Sequence, residues 1–186
     1  MYVCYNLGAR GEKMENSFVL VRLNSDYCDY LRQFDSKVPY NFAEKMLRPF
    51  IGVLFRVHDY MYFAPLSSPK PKHLELKSKL DFLKIDHGKL GAINFNNMLP
   101  VTEKNIIELD LNKKVSTKNE EKYLKLLKEQ LYWLNRHSSK VYGRSKKLYD
   151  KYVNNTLDKN IRKSCCDFIL LEEKCDEYNS LEKIEV

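Results

Sequence analysis

Short apolar runs separated by turn residues occupy the first half of the chain and predict β-strands. Residues 17–23 (SFVLVRL) form one such run, and residues 50–57 (FIGVLFRV) form another that is rich in apolar and β-branched side chains. His58 and Asp59 can form a tight turn into the next strand. The remaining candidate strands are residues 60–66, 82–85, 90–95 and 106–111. Because strands joined by short turns tend to pair antiparallel, these runs predict an antiparallel sheet.

Apolar side chains three and four positions apart predict helices elsewhere. A short helix is expected over residues 26–35, with Ser25 as its cap. Thr117 and Glu120 have the spacing of a capping box at the start of a long helix, and residues 164–167 (SCCD) have a similar pattern before the last helix. The periodic apolar positions are Tyr27, Tyr30, Leu31 and Phe34, then Tyr123, Leu124, Leu127, Leu131 and Leu134, then Val141, Leu148, Tyr149 and Tyr152, and finally Phe168, Leu171 and Cys175.

Strands in the first half and helices in the second predict an α+β fold with a helical C-terminal half. No internal repeat or flexible linker interrupts the 186 residues, so we expect one domain. Residues 1–13 show little pattern and precede a second methionine, Met14. Residues 10–14 (RGEKM) are what a purine-rich bacterial ribosome-binding site would encode. We therefore interpret residues 1–13 as an upstream extension and residues 14–186 as the domain.

Positive charge is concentrated in one block of the second half. The net charge is +7, and residues 136–163 alone carry nine Lys or Arg against two Asp or Glu. A localised cationic surface is typical of proteins that bind a polyanion, although a solvated lysine-rich helix face would give the same pattern. For an RNA partner, the candidate binding residues in this block are Arg136, Lys140, Arg144, Lys146 and Lys147.

Cysteine usage and hydropathy favour the cytoplasm. The cysteines are odd in number and contain no C-x-x-C pair, so free thiols are expected, and a disulfide framework would need another compartment. They are Cys4, Cys28, Cys165, Cys166 and Cys175. No apolar run approaches the ~20 residues of a membrane span, and the N-terminal segment lacks the apolar core of a signal peptide. We expect a cytoplasmic protein with no membrane partner.

Motifs for metals and cofactors are not found. The histidines show neither H-x-H nor H-E-x-x-H spacing, and the cysteines lack a second pair at structural-zinc spacing. The chain also has no P-loop, G-x-G-x-x-G or G-x-S-x-G motif. No metal and no cofactor are therefore expected, and an RNA-cleaving enzyme with this sequence would use a metal-free mechanism.

Residues 62–73 (YFAPLSSPKPKH) bring hydroxyl, ammonium and imidazole groups into one turn. Ser67, Ser68 and Lys70 lie within four residues, and three prolines restrict the backbone around them. Two further side chains that could contact RNA follow, Lys72 and His73. Hydroxyl and ammonium donors aimed at one point stabilise a phosphate that gains charge in its transition state, and RNA supplies its own nucleophile, the 2′-hydroxyl. A polar surface turn with solvated lysines is the alternative.

Five short segments of the chain are distinctive in their order and spacing. They are Ser25-Asp26-Tyr27…Tyr30-Leu31…Phe34-Asp35…Lys37-Val38-Pro39, Phe50-Ile51-Gly52-Val53, Ala64-Pro65-Leu66-Ser67-Ser68-Pro69-Lys70, Ala92-Ile93-Asn94…Met98-Leu99-Pro100 and Leu170-Leu171-Glu172-Glu173-Lys174. In this order and spacing the chain resembles the ToxN/AbiQ toxins of type III toxin–antitoxin systems, from about Phe18 to Asp176.

The resemblance implies a fold, an activity and a partner. The fold would be a compact, strongly bent antiparallel β-sheet flanked by helices, similar to the MazF-like toxins. The activity would be metal-independent, sequence-specific cleavage of single-stranded cellular or phage mRNA, leaving 2′,3′-cyclic phosphate and 5′-hydroxyl ends. The partner would be a small repeat RNA antitoxin, which the toxin processes and with which it closes into a ring-like complex. The biological role would be abortive infection in phage defence, or plasmid maintenance.

The resemblance also implies site residues. Ser68 and Lys70 match the active-site serine and lysine of the family, and Ser67 stands where some members have threonine. Tyr27 matches a tyrosine that lines the site. Arg48 falls where members can have lysine, which keeps the charge but changes its geometry. In the implied reaction the two cations offset charge on the phosphate and the two serines donate hydrogen bonds to it.

Two assignments stay open at this point. Either Tyr27 or His73 could move protons, and His73 has the unperturbed pKa closer to neutrality. A second tyrosine of the family falls within residues 39–48, where Tyr40 and Phe42 are the nearest equivalents and neither is assigned.

Two other function classes explain part of the pattern. A non-catalytic RNA-binding module would account for the basic block, but not for a stiff turn that presents Ser67, Ser68 and Lys70. A protein-interaction domain that uses the proline–lysine turn as a docking peptide predicts no salt-sensitive binding of RNA at all.

Overall fold

The computed structural model describes residues 17–39 and 51–181. The predicted boundary at Met14 lies outside these residues. The strands are β1 (Leu20–Leu23), β2 (Ile51–Val57), β3 (Tyr60–Ser67), β4 (Phe82–Lys84), β5 (Ala92–Asn94), β6 (Leu99–Val101) and β7 (Ile106–Glu108). The helices are α1 (Ser25–Arg32), α2 (Pro71–Glu75), α3 (Lys118–Arg136), α4 (Ser138–Val153), α5 (Lys159–Ser164) and α6 (Phe168–Leu181). Strands in the first half and helices in the second confirm the α+β class.

The strands form an antiparallel sheet, as the sequence predicts. Their order across the sheet is β4-β5-β3-β2-β1-β7, and β6 also pairs with β3. Strand β3 changes partner along its length, because Met61 to Phe63 pair with β6 whereas Leu66 and Ser67 pair with β5. Strand β3 therefore belongs to two parts of the sheet, and its last residue lies beside the small part made of β4 and β5.

The predicted turn between β2 and β3 is present, whereas the end and the cap of α1 differ from the prediction. His58 and Asp59 join β2 to β3, which confirms the predicted tight turn. Helix α1 ends at Arg32 rather than at residue 35. Its cap is the Asn24 side chain, which accepts a hydrogen bond from the backbone N–H two residues later (2.9 Å), so the assignment of Ser25 as the cap is wrong. Asparagine and serine are similarly good caps, and only the backbone conformation distinguishes them here.

The cap of the long helix is as predicted. The Thr117 hydroxyl accepts a hydrogen bond from the Glu120 N–H (3.2 Å), and the Glu120 carboxylate accepts one from the Thr117 N–H (3.1 Å). The cap of the last helix differs, because Ser164 is the final residue of α5 and Asp167 accepts the hydrogen bond from the Leu170 N–H (3.3 Å). The sequence does not predict α2, α5 or β6, since elements of three to six residues are too short for the apolar pattern to repeat several times.

The apolar core lies between the sheet and the C-terminal helices. Tyr62 and Phe63 of β3 are fully buried, and so is Phe168 of α6. Helix α6 packs against β6 and α1, and α4 packs against β2. These contacts hold the helical half against the strands. None of the described helices is long and apolar enough to cross a bilayer.

The cysteines of the described residues are buried free thiols, as expected. They are Cys28, Cys165, Cys166 and Cys175, and Cys4 lies outside the described residues. Burial raises the pKa of the first three thiols to about 12, so they stay protonated at neutral pH.

Candidate active site at the end of strand β3

The predicted turn forms where β3 gives way to α2. Strand β3 ends at Ser67, and Lys70 is the N-cap of α2, which begins at Pro71. Proline suits the first helical position because its missing N–H has no partner within a helix. The His73 N–H donates to the Lys70 carbonyl (2.8 Å) and closes the turn. Ser67, Ser68 and Lys70 thus lie together at one end of the sheet; we call these three residues the serine turn.

The serine turn is accessible from solvent. Ser67 and Ser68 are half-buried, while Lys70 and Lys72 are exposed. The turn is therefore at the surface, with the Lys70 side chain in solvent and both serines partly exposed.

A glycine of the following segment packs directly against the serine turn. Gly91 has a φ of +96°, and a Cβ at this position would lie 1.9 Å from the Ser67 carbonyl oxygen and 3.0 Å from the Ser68 carbonyl carbon. No other residue can approach this closely or adopt this φ without strain. Gly91 therefore allows the backbone just before β5 to pack against the carbonyl groups of Ser67 and Ser68.

Two amide side chains attach the turn to the rest of the domain. The Asn94 amide group donates a hydrogen bond to the Ser67 hydroxyl oxygen (2.8 Å). The amide nitrogen of Gln130, which is buried in α3, donates to the Leu90 carbonyl (2.7 Å) and lies 3.5 Å from the Ser67 carbonyl. Neither Asn94 nor Gln130 is among the site residues predicted from the sequence. A glutamine between Leu127 and Leu134 in an apolar stripe is the one signal that could have pointed to a buried polar contact.

His73 lies behind the turn rather than on the surface. Its side chain is buried against Phe82, with ring centroids 5.6 Å apart, and its Nδ1 has no hydrogen-bond partner among the described residues. Burial lowers the pKa of the imidazole, and the charges of Lys70, Lys72 and Lys84 lower it further. His73 is therefore mainly neutral at pH 7, and its ring does not reach solvent here, so the structure gives no support to its predicted contact with RNA.

Tyr27 is a core residue in this structure. Its ring is fully buried, and its hydroxyl donates to the Pro100 carbonyl (2.7 Å). Burial raises the pKa of the phenol well above its usual value, which opposes proton transfer through a phenolate. Pro100 pairs with Tyr62, which precedes Ser67 by five residues, or about 16 Å of extended strand. The structure does not bring Tyr27 to the serine turn, so its assignment as a lining residue is not supported there.

The predicted second cation, Arg48, lies outside the described residues, as do Tyr40 and Phe42. Its place beside the phosphate stays a prediction.

A basic groove runs between α4 and the segment before β4. It is a shallow, widely open depression with a volume of about 420 Å³, and its lining residues are Ser78, Lys79, Leu80, Ser139, Lys140, Gly143, Arg144 and Lys147. Four of the eight are cationic, so the groove suits a polyanion. The Arg144 guanidinium donates to the Lys79 carbonyl, and this contact holds α4 against the segment.

A chain of contacts connects this groove with the serine turn. Arg144 lies 3.4 Å from the Phe82 carbonyl, Phe82 pairs with Asn94 between β4 and β5, and Asn94 contacts Ser67. Neighbouring strands lie about 4.8 Å apart, so β4 and β3 are about 10 Å apart across β5. The basic groove, beside β4, and the serine turn, at the end of β3, are therefore close in the fold and separated by β5.

The structure separates the cations that the sequence groups together. Lys140, Arg144 and Lys147 meet in the basic groove. Lys146 is not among its lining residues and instead pairs with Asp150 (2.6 Å). Arg136, at the end of α3, is exposed, and its guanidinium contacts the hydroxyl (3.0 Å) and the ring of Tyr132. Spacing along a helix cannot reveal this division, because it depends on which face meets the segment before β4.

Among residues 17–39 and 51–181, no three His, Cys, Asp or Glu side chains are grouped so that they could hold an ion.

Comparisons with known proteins identify the family. The family model "Toxin ToxN, type III toxin-antitoxin system" matches residues 19–176. The endoribonuclease ToxN of Bacillus thuringiensis subsp. kurstaki is 35% identical over 160 residues, which cover 84% of this chain and 81% of the relative. The endoribonuclease AbiQ of Lactococcus lactis subsp. lactis is 31% identical over 167 residues, which cover 84% of this chain and 87% of the relative.

A solved structure shares the fold as well. This structure belongs to a bacterial type III toxin–antitoxin system, in which a non-coding RNA pseudoknot selectively inhibits the toxin. The two chains superpose with a TM-score of 0.69 at 33% identity, over 88% of this chain and 98% of the other. Residues 19–176, which the family model matches, contain the sheet, the serine turn and the basic groove. The chain therefore belongs to the ToxN family of type III toxin–antitoxin systems, and it is an endoribonuclease.

Proposed function

We propose that this chain cuts single-stranded RNA at specific sequences without a metal ion, and that the serine turn holds the scissile phosphate. The observation that carries this proposal is the position of two hydroxyls and an ammonium group beside a basic groove. Since RNA carries its own nucleophile, the protein has to supply only positioning, charge stabilisation and proton transfer.

In the proposed reaction the ribose 2′-oxygen attacks the adjacent phosphorus, and the bond from phosphorus to the 5′-oxygen breaks. The 2′-hydroxyl loses one proton and the leaving 5′-oxygen gains one, so the products carry a 2′,3′-cyclic phosphate and a 5′-hydroxyl. Ser67, Ser68 and Lys70 donate to the phosphate oxygens as negative charge builds up on them. Arg48 is proposed as a second cation at the same phosphate.

The proposed inhibitor is a small repeat RNA that occupies the same surface. The RNA of the solved relative is a pseudoknot that inhibits its toxin. Folded RNA is recognised by its shape and its unpaired bases, and a strand lying in the basic groove of this chain would cover Ser68. Processing of the repeat RNA, a ring-like complex, abortive infection and a cytoplasmic location belong to the same proposal.

Chelation of divalent metals is expected to leave the activity intact. Purified protein, dialysed against EDTA and incubated with a long single-stranded RNA in EDTA, should cut it at discrete positions. End analysis should find 2′,3′-cyclic phosphates and 5′-hydroxyls, because no water is activated in the first step. The matched control is a pair of short RNAs that contain one of these cleavage sites: the all-ribose RNA should be cut, and the same RNA with a single 2′-deoxyribose at the site lacks the nucleophile and should stay intact.

Two results would contradict this mechanism. Activity that disappears in EDTA and returns with Mg²⁺ would show that a metal is needed. Binding of RNA without cleavage under either condition would favour the non-catalytic RNA-binding module.

Lys147→Ala is expected to weaken RNA binding, and Lys146→Ala is expected to leave it nearly unchanged. Lys147 lines the basic groove, whereas Lys146 is held by Asp150. Each lost phosphate contact should lower the slope of log affinity against log salt by about 0.7 for single-stranded RNA. Fluorescence anisotropy at several salt concentrations measures this slope, with a Ser68→Ala background and a probe that carries 2′-deoxyribose at the cleavage site, so that the probe stays intact.

Both substitutions remove one positive charge from α4, and the two residues are adjacent in the sequence. Equal effects of both, on affinity and on salt slope, would mean that the basic groove is not where RNA binds.

A further inference from the structure

We propose that Asn94 is a positioning residue that aims the Ser67 hydroxyl at the scissile phosphate. The inference rests on the proposed function, since it concerns how one donor of the serine turn is oriented. Asn94 is the last residue of β5, and its side-chain nitrogen lies 2.8 Å from Ser67 Oγ.

The direction of this hydrogen bond decides what the hydroxyl can do next. An amide nitrogen only donates, so Ser67 Oγ accepts the hydrogen bond from Asn94 and one of its two lone pairs is occupied. The hydroxyl hydrogen must then point elsewhere. The Ala92 carbonyl lies 3.5 Å from Ser67 Oγ, beyond the usual length of an O–H···O hydrogen bond, and holds that hydrogen only weakly.

A phosphate oxygen that enters the site therefore finds a hydroxyl already prepared to donate. Preorganised donors stabilise developing charge more than donors that must first turn away from another partner. The Asn94 contact raises the fraction of Ser67 hydroxyls that point outward, and it does so without touching the substrate.

The backbone around Asn94 is held firmly enough for this role. Asn94 pairs with Phe82 of β4, and the next two N–H groups, of Phe95 and Asn96, donate to the Asp81 carbonyl (2.9 and 3.3 Å). The Asn96 carbonyl in turn accepts from the Cys166 N–H (2.8 Å). A side chain that orients a donor needs such support, because a displacement of ~1 Å at a reacting group can cost 10²-fold in rate.

Two substitutions separate orientation from simple support. Asn94→Leu keeps the number and branching of the side-chain heavy atoms and removes the donor. Asn94→Asp is nearly isosteric, but its carboxylate accepts, so it draws the Ser67 hydrogen inward and reverses the hydrogen bond. The matched control is Asn96→Asp, which introduces the same charge two residues away, where the side chain contacts the Ser164 carbonyl and not the serine turn.

The measurement is kcat and KM on a short RNA with one cleavage site, with the melting temperature as a check on folding. We expect kcat to fall about 10-fold for Asn94→Leu and about 100-fold for Asn94→Asp, with little change in KM, while Asn96→Asp stays close to wild type. In a Ser67→Ala background, Asn94→Leu should cause no further loss, because the hydroxyl that it orients is gone.

A merely structural role would give a different result, since losses from independent sites add. The positioning role is overturned if Asn94→Leu keeps a kcat within about threefold of wild type, or if its loss is as large in the Ser67→Ala background. Wild type and Ser68→Ala are measured beside these variants. If wild type leaves the RNA intact, the proposed function fails; if wild type and Asn94→Leu cut equally well, only the role of Asn94 fails.

Discussion

Ser68→Ala is expected to reduce the rate of RNA cleavage by about 100- to 1000-fold, because it removes one donor from a phosphate that gains charge in the transition state. Ser68 follows β3 directly and is half-buried, so its hydroxyl is supported by the backbone and still reachable. The loss should appear in kcat, since the donor is needed most when the phosphate is pentacoordinate. Single-turnover cleavage of a short RNA measures it, and induced expression should no longer arrest growth.

The matched control for this variant is Ser180→Ala. Ser180 is exposed on α6, and its hydroxyl donates to the Asp176 carbonyl (2.8 Å), away from the serine turn. Both variants should keep the wild-type melting temperature within a few degrees, so a loss of activity limited to Ser68→Ala cannot come from unfolding. A Ser68→Ala protein that cuts RNA and arrests growth like wild type would remove the serine turn from the mechanism.

Gly91→Ala is expected to destabilise the domain by about 2–4 kcal/mol and to abolish most of the activity. The new Cβ would lie 1.9 Å from the Ser67 carbonyl oxygen, and a positive φ costs an L-residue about 1–2 kcal/mol by itself. For a domain of this size the melting temperature should fall by about 5–15 °C. Thermal unfolding followed by circular dichroism measures this change, and cleavage assayed well below the melting temperature reports on the serine turn.

Gly143→Ala provides the opposite control for stability. Gly143 lies within α4, and a Cβ there would meet nothing within 4 Å. Alanine in a helix is favoured over glycine by about 1 kcal/mol, so this variant should unfold at a slightly higher temperature. If both variants unfolded at the wild-type temperature, the packing of the Gly91 segment against Ser67 would not exist in solution.

These two predictions concern the same physical property, the rigidity of a short turn. Prolines before and after Ser68 restrict the backbone dihedral angles of the turn. The backbone at Gly91 packs against the Ser67 carbonyl, and the Gln130 side chain hydrogen-bonds to the neighbouring Leu90 carbonyl and links it to α3. A donor held in this way does not have to reorganise when the phosphate changes shape, and this is the source of most electrostatic catalysis.

The serine turn could be predicted because its parts are contiguous in sequence. Ser67, Ser68 and Lys70 lie within four residues, and prolines mark the turn. Strand β6 could not be predicted, because it has three residues and Pro100 at its centre, and proline argues against a strand. Tyr27 shows a different limit. The resemblance predicts a site-lining tyrosine at its position, whereas its environment here is that of a core residue.

The amino-acid sequence by itself determined the local features of this protein: the strand-forming runs, the Thr117 capping box, the block of positive charge and the serine turn. Each depends on interactions between residues a few positions apart. Only the tertiary structure decided which side chains support the turn and which cations meet. Asn94 and Ser67 are 27 residues apart, and Arg144 and Lys79 are 65 apart. Such contacts follow from strand register and helix packing, which depend on the whole core at once.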